Sequence, residues 1–515
     1  MKLTNTLVGI LATATIAIAQ PSIPVDLHTG RPTITMPITS IGEGDISVPI
    51  LVAYTGDGVR VGEGEGTAGM SWSLAGGGAV YRELRGLPDD YLGTGTDTRK
   101  GWLYNNNASA IQNFTSSSND DLSSCSDEVA DYNFLNAAYD GFNDTEPDIF
   151  NFQAPGLSGQ FVFGADGLPK LIPYQDIKIT ITRLNGTGPI EEIIIKNNKG
   201  IQYTFSMKET MKKHTYPFNG VTTIDHFQRE YKMYRTPASF TASWQLLRID
   251  SPSGAEVLFG YYTAETGMAA DKVTIVDEAD SVHQLYAISQ EVSQRQLHMI
   301  SSSNINAEFI WEDNRIDRIK ITQFGREREF DFIYQKVRDN RTGTFAYGAS
   351  RSFLKEIKQV EDCVTFPSFR FDYVNINGVS CDLPFKDEMF QDLWGYYNGT
   401  STTRVPDIHI YNGQSNAERF RLSTIPGQSP STTLDGAGRT VNTNVIATGA
   451  LSKIHYPSGS FAEIEYQANQ YFDATANASL LGGGIRVSRT KLTGAEKGSA
   501  SIITDYEYLA TDGQT

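Results

Sequence analysis

Few stretches of this chain carry residue types whose spacing could do chemistry, and each can be weighed on its residues. Gly62-x-Gly64-x-Gly66 has the spacing of a phosphate cradle, which needs backbone N–H groups at a helix N-terminus and no like charge beside them. Glu63 and Glu65 stand between the glycines and no helix signal follows, so a flexible loop is expected. Glu327-Arg328-Glu329 and Glu463-Ile464-Glu465 set two carboxylates two residues apart, as a transferase pair would. Residues two apart on a strand share a face, and no upstream Arg and Ser-Thr-Ser series accompanies them, so outward, solvated glutamates are expected. Asp144, Glu146 and Asp148 could offer oxygens to calcium, but the spacing completes no loop motif and reads as a solvated turn around Pro147. The seven histidines, His28, His214, His226, His283, His298, His409 and His455, are scattered singly, and no nucleophile-elbow sequence marks a serine. No catalytic residue, metal or cofactor is expected, and the chain is not expected to be an enzyme.

The elements that must position any site are strands and turns. Leu246 to Tyr261, LLRIDSPSGAEVLFGY, returns 205 residues later as Leu451 to Tyr466, LSKIHYPSGSFAEIEY. Pro252 and Pro457 preset φ for a turn, and Gly254 and Gly459 can take the positive φ that strains a residue bearing Cβ. Val257, Phe259 and Tyr261 alternate on one arm, as do Ile464 and Tyr466 in the second copy, so each is a hairpin with one apolar face. A single hairpin cannot bury that face, and its recurrence predicts a long antiparallel sheet to which such units are added in succession.

Composition agrees with strands. Forty-seven Gly and 25 Tyr in 515 residues suit a chain of strands and turns, and 39% hydrophobic residues are enough for one large core or several smaller ones. Forty-three Lys and Arg against 60 Asp and Glu give a net charge of -17, which repels a phosphate backbone and an anionic membrane surface; nucleic acid is not an expected partner. Residues 1–19 read as a signal peptide, with Lys2, an apolar run from Leu7 to Ile18 and the small-x-small site Ala17-Ile18-Ala19. No later segment reaches the length of a membrane span. The mature protein is therefore expected to be secreted or at the cell surface. Three cysteines are few for an exported chain. Cys363 and Cys381 could pair, with Cys125 left odd.

In order along the chain, Ile23 to Tyr54 reads as short extended pieces broken by Pro24, Pro32, Pro37 and Pro49 within an N-terminal β region, 20–155. A polar stretch at about 104–143 interrupts that region and reads as a surface insertion. Residues 156–385 read as a hairpin-rich sheet, with turns after Phe163 and at Asn197 to Gly200. Only Ser281 to Met299 reads as a helix or long loop. A further β region spans 386–515, and Ser401 to Asn444 within it is polar and irregular. The five tryptophans, Trp72, Trp102, Trp244, Trp311 and Trp394, could form a sugar platform, but their patterning favours core positions and cross-strand pairs.

Eight blocks then carry a resemblance: HTGRPTITMPI (His28 to Ile38), GDISVPILVAYTGDGVRV (Gly44 to Val61), SWSLAGGGAVYRELRGLPDD (Ser71 to Asp90), DTEPDIFNF (Asp144 to Phe152), SGQFVFGADGLPKLIPYQDIKI (Ser158 to Ile179), SWQLLRIDSPSGAEVLFGY (Ser243 to Tyr261), QDLWGYYNG (Gln391 to Gly399), and the second PSG hairpin with LLGGGIRV (Leu480 to Val487). In this order they resemble the N-terminal region of the secreted RHS/YD-repeat proteins of Bacteroidota. The resemblance implies an all-β fold, a long antiparallel sheet forming an open part of a β shell, and a non-catalytic role in enclosing or presenting a C-terminal toxin or effector. The family's tandem YD array and terminal toxin do not follow Tyr506-Glu507-Tyr508, so a truncated gene or a lost downstream part is expected. The rival reading is an extracellular carbohydrate-binding or adhesive module with cell-surface glycans as partners.

Overall fold

Period-two alternation builds the first two strands, β1 (Ile34–Glu43) and β2 (Ile46–Tyr54). In β2, Ile46, Val48, Ile50, Val52 and Tyr54 are buried while Ser47 and Pro49 face outward. The structure, a computed structural model, describes residues 23–104, 125–217, 239–276, 282–339 and 350–508, apart from 379, 382, 385–389, 400–407, 413–417, 422–426, 428, 435–437, 474–476 and 497. Residues 1–19, read from the sequence as a signal peptide, therefore lie outside the described residues.

With β3 (Trp72–Ala75), β1 and β2 form a three-stranded antiparallel inner sheet. Pro37 and Pro49 do not break these strands as expected. Pro37 lies on β1, an edge strand, beside a bulge that ends at Thr39. Pro49 lies on β2 beyond the reach of β3, which pairs only with Leu51 to Tyr54, and faces Ser40 of β1.

The rest of the chain builds one large sheet. Its first strands are β4 (Ala79–Glu83), β5 (Ile149–Ala154), β6 (Leu157–Phe163), β7 (Pro169–Leu171), β8 (Lys178–Arg183) and β9 (Ile190–Lys196). The long strands β10 (Gln202–Pro217), β11 (Phe240–Asp250), β12 (Glu256–Val276) and β13 (Val282–Ser301) follow, then β14 (Ile305–Glu312), β15 (Arg315–Gln323), β16 (Arg326–Asp339), β17 (Ser350–Glu361), β18 (Val364–Thr365), β19 (Phe369–Tyr373) and β20 (Ser380–Cys381). A separate small sheet holds β21 (Ile408–Asn412), β22 (Glu418–Arg421) and β23 (Thr432–Leu434). The large sheet resumes with β24 (Leu451–His455), β25 (Phe461–Asp473), β26 (Ala478–Thr493) and β27 (Ser501–Asp505). Nearly all pairings are antiparallel and between chain neighbours. The exceptions are β4 with β11, β10 with β13, β17 with β19, β19 with β24, β21 with β23, and a short parallel pairing of β16 with β20. The expected all-β fold of successive antiparallel hairpins is the observed one.

Three local expectations are corrected. Of the stretch Ser281 to Met299, the described residues from Val282 on belong to β13, because pairing with β12, β10 and β14 outweighs their weak local preference. The insertion at about 104–143 carries α1 (Cys125–Tyr139), a run free of Gly and Pro and with three alanines, the one α-helix among the described residues. The polar 401–444 stretch carries the sheet β21 to β23. No helix among the described residues is long and apolar enough to cross a membrane.

A single device recurs along the large sheet. In five hairpins an aromatic residue on the second strand follows a break in register immediately before it: Tyr261, Trp311, Tyr334, Tyr373 and Tyr466. Each donates its polar hydrogen to a carbonyl on the preceding strand, Tyr261 to Leu246, Trp311 to Leu297, Tyr334 to Ile316, Tyr373 to Leu354 and Tyr466 to Leu451, all at 2.6–2.7 Å. A bulge bends and twists a strand and leaves a carbonyl out of the ladder, and the aromatic tip satisfies that carbonyl. Each unit thus bends at the same point, and β12 and β25 break register again further along. The inner sheet and one face of the large sheet share a single hydrophobic core, with β1 against β12 and β14.

Candidate functional site

The two PSG turns close the hairpins β11–β12 and β24–β25. Gly254 and Gly459 hold φ of 88° and 86°, following Pro252 and Pro457. Both copies end in the aromatic hook just described. Their surroundings differ. Around the second copy, Tyr54 of the inner sheet accepts from the Leu451 N–H at 2.9 Å, and Trp72 Nε1 donates to the Tyr373 hydroxyl at 2.9 Å. The Trp72 ring packs between Tyr54 and Phe371, with centroids at 5.2 and 4.8 Å. Burial pushes the phenols of Tyr54, Tyr373 and Tyr466 far above the ordinary range, so they remain donors. Around the first copy the inner sheet presents Gly76, Gly77 and Gly78 instead, and a cavity of about 600 Å³ opens there.

The densest group of ionisable side chains lies next to the first copy. Arg82 on β4 donates from Nη2 to Asp90 Oδ1 at 2.7 Å and lies 3.4 Å through Nε from Asp148 Oδ2, all three side chains buried. Its guanidinium sits over the rings of Phe150 and Trp244, at 5.2 and 5.1 Å. Asp89 and Asp148 hold each other's backbone: the Asp148 N–H donates to Asp89 Oδ1 at 2.9 Å and the Asp89 N–H to Asp148 Oδ2 at 3.0 Å. Arg85 and Ile190 donate backbone N–H groups to Asp148 Oδ1 and Asp90 Oδ2. One cation therefore faces four buried carboxyls, Asp89, Asp90, Asp144 and Asp148. Burial raises the Asp89 and Asp148 carboxyls, with their mutual repulsion adding to Asp89, and pushes Asp144 up to about 8. Asp144 and Asp148 are thus not a solvated turn: they fold under β4 and β5 and tie the loop 84–90 to the loop 144–148. No group of three or more His, Cys, Asp or Glu among the described residues is placed to hold a metal. The knot is a structural clamp. Its sequence signal was the pair of acidic runs, Asp89-Asp90 shortly after Arg82 and Arg85, and Asp144 to Asp148.

Other candidates stay apart. Glu327, Glu329 and Glu463 pair with Lys320, Arg318 and with Lys453 and Lys491, as cross-strand ion pairs. His298 stacks on Tyr262 at 3.9 Å, His455 Nε2 lies 2.8 Å from Asp372 Oδ2, and His409 contacts Thr433 Oγ1. The side chains of His214, His226 and His283 lie outside the described residues. Trp72 and Trp244 are core, Trp102 and Trp311 pack against it, and Trp394 is half exposed, so the tryptophans share no platform. The Cys363–Cys381 pairing is not made. Cys363 is an exposed free thiol at φ 65° in the β17–β18 turn, near Arg328 of β16, whereas Cys381 pairs beside Asp339 at the other end of that strand. Residues 328 and 339 lie roughly 36 Å apart along a strand at about 3.3 Å per residue, far beyond disulfide reach.

No family model and no curated protein matches the chain. Solved structures do. A crystal structure of TcdB2-TccC3 overlays with TM-score 0.36 at 11% identity, covering 93% of this chain and 22% of that one. The Photorhabdus luminescens Tc holotoxin pore with the mutation TccC3-D651A overlays with TM-score 0.30 at 9% identity, covering 94% and 21%. The N-terminal domain of effector protein SpvB from Salmonella typhimurium strain LT2 overlays with TM-score 0.18 at 12% identity, covering 92% and 99%. The chain spans about a fifth of the length of the first two.

Proposed function

We propose that this chain is a non-catalytic structural segment of a secreted RHS/YD-repeat type protein, a wall of a β shell that encloses or presents a C-terminal toxin or effector. The observation that carries this reading is the bulge-and-aromatic hook at the equivalent place in five hairpins, Tyr261, Trp311, Tyr334, Tyr373 and Tyr466. Repeated bulges bend a long sheet around a space, and bending is how such a sheet protects its edges. The eight sequence blocks support the same reading. Among the described residues β27 has one partner, β26, and its Ile502 and Ile503 are exposed, which suits a sheet that a further strand can extend.

The test is limited proteolysis of the whole product of the gene. Any polypeptide following residue 515 should be cleaved much more slowly in the intact protein than when expressed alone, while the insertion at about 104–143 is cut first. Equal cleavage of the downstream polypeptide in both settings sinks the shell reading.

A further inference from the structure

The cavity beside the first PSG hairpin has a defined chemistry that the shell reading leaves unused. It opens because the inner sheet turns into β4 through three glycines. Gly78 lies so close to β5 that a Cβ would come within 2.8 Å of the Gln153 carbonyl. Gly77 is different: a Cβ there would meet only Tyr261 Oη and Leu297 Cδ2, at 3.7 and 3.9 Å, and would point into the open space. The volume, about 600 Å³, is that of a small-molecule site, typically about 300–1,000 Å³.

The polar side chains at its wall are mainly carboxamides, Gln153, Gln245, Gln294, Gln296 and Asn314, drawn from β5, β11, β13 and the β14–β15 turn, with the hydroxyls of Thr67 and Ser73 beside them. Gln296 Nε2 donates to Asn314 Oδ1 at 2.8 Å and Gln245 Nε2 to Ser243 Oγ at 3.2 Å, so the acceptor oxygens of both glutamines stay without a partner among the described residues. A carboxamide is neutral and offers both a donor and an acceptor. The single charged side chain at the wall, Arg295, is engaged: Nε donates to the Lys208 carbonyl at 3.0 Å and a terminal nitrogen donates to Thr263 Oγ1. Aromatic surface comes from Tyr81, half exposed, and from Trp311, whose indole is fixed by its bond to the Leu297 carbonyl.

We propose that this cavity binds an uncharged, hydroxyl-rich ligand of the neutral oligosaccharide class. A hydroxyl both donates and accepts, as a carboxamide does, and an aromatic wall takes the apolar face of a sugar ring. An anionic ligand would meet no free cation. β4 and β11 are paired on both sides at the cavity, whereas β3 and Gln294–Leu297 of β13 are each paired on one side, so an extended peptide is the competing occupant that the titration separates.

The experiment is calorimetric titration of the full chain with cellotriose, xylotriose, mannotriose and chitotriose, with trigalacturonate and tetra-alanine as the anionic and peptide comparisons. At least one neutral trisaccharide should bind, with trigalacturonate and tetra-alanine at least about tenfold weaker. Gly77→Leu, which fills the cavity from a position with ordinary backbone geometry, should weaken that binding at least about tenfold, while Tyr466→Phe at the second hairpin leaves it unchanged. If Gly77→Leu does not fold, the double variant Gln245→Ala/Gln296→Ala carries the same expectation. The proposal is overturned by no heat from any neutral trisaccharide up to about 10 mM, by equal or tighter binding of trigalacturonate or tetra-alanine, or by binding that a folded cavity variant leaves intact.

Discussion

The two PSG hairpins share a pattern of residues, a turn geometry and an aromatic hook at the same 2.7 Å distance, yet one borders a cavity and the other lies in solid core. Around Tyr466 the inner sheet supplies Tyr54 and Trp72. Around Tyr261 it supplies three glycines. A hairpin of this kind is a unit of construction, and what it contributes is decided by the surface laid against it. The first copy also leans, through β11 on β4, on the acidic knot around Arg82, whereas the second leans on the aromatic stack.

Several substitutions would break or sharpen that contrast. The largest effect is expected from Trp72→Ala, which removes a fully buried side chain from the stack beside the second copy and should cost about 3–5 kcal/mol in denaturant unfolding. Hydrogen exchange should then rise in β24 and β25 more than in β11 and β12; the reverse order would break the comparison. The second effect is one of pH. Asp144, pushed up to about 8, stays protonated in the folded chain but ionises near 3.9 when unfolded. The folded state therefore binds the extra proton between about pH 4 and 8, and its stability, full below that window, is lost as pH rises through it, by up to about 1.4 kcal/mol per pH unit. Asp144→Asn should flatten this fall in measured midpoints, and an unchanged slope would remove the knot from the account.

The hooks come next. Tyr466→Phe leaves the Leu451 carbonyl unpaired in core and should cost about 1–3 kcal/mol, whereas Tyr261→Phe should cost about 1 kcal/mol or less, because Tyr261 lines the cavity and a water entering there can take the place of its hydroxyl. Equal losses would show that the cavity is irrelevant to the hook. Gly254→Val and Gly459→Val should cost about 1–2 kcal/mol each from strain at positive φ. The two should match, since a Cβ at Gly254 meets nothing within 4 Å and one at Gly459 meets only Ala495, at 3.4 Å.

Much of the fold was legible because it is written in near neighbours. Alternation in Ile46 to Tyr54 sets which face of β2 is buried, and Pro-Ser-Gly sets a turn, without help from the rest of the chain. The expectations that failed were those in which partners outweigh local preference. Val282 to Met299 is a strand because it pairs with β12 along its length and with β10 over Tyr286 to Ser293, and Asp148 is buried where Asp89 and Arg82 meet it across some sixty residues of chain. Cys363 and Cys381 are near in sequence but at opposite ends of β16.

The sequence by itself determined the strands, their alternation, the positive-φ turns and the acidic surface, since each depends on a residue's own chemistry and on positions two to four away. Only the tertiary structure decided that Tyr54 would meet Leu451, 397 residues on, and that Gly77 would face Tyr261. Nothing in either hairpin says what packs against it, because side-chain packing is a property of two surfaces and each hairpin encodes only one.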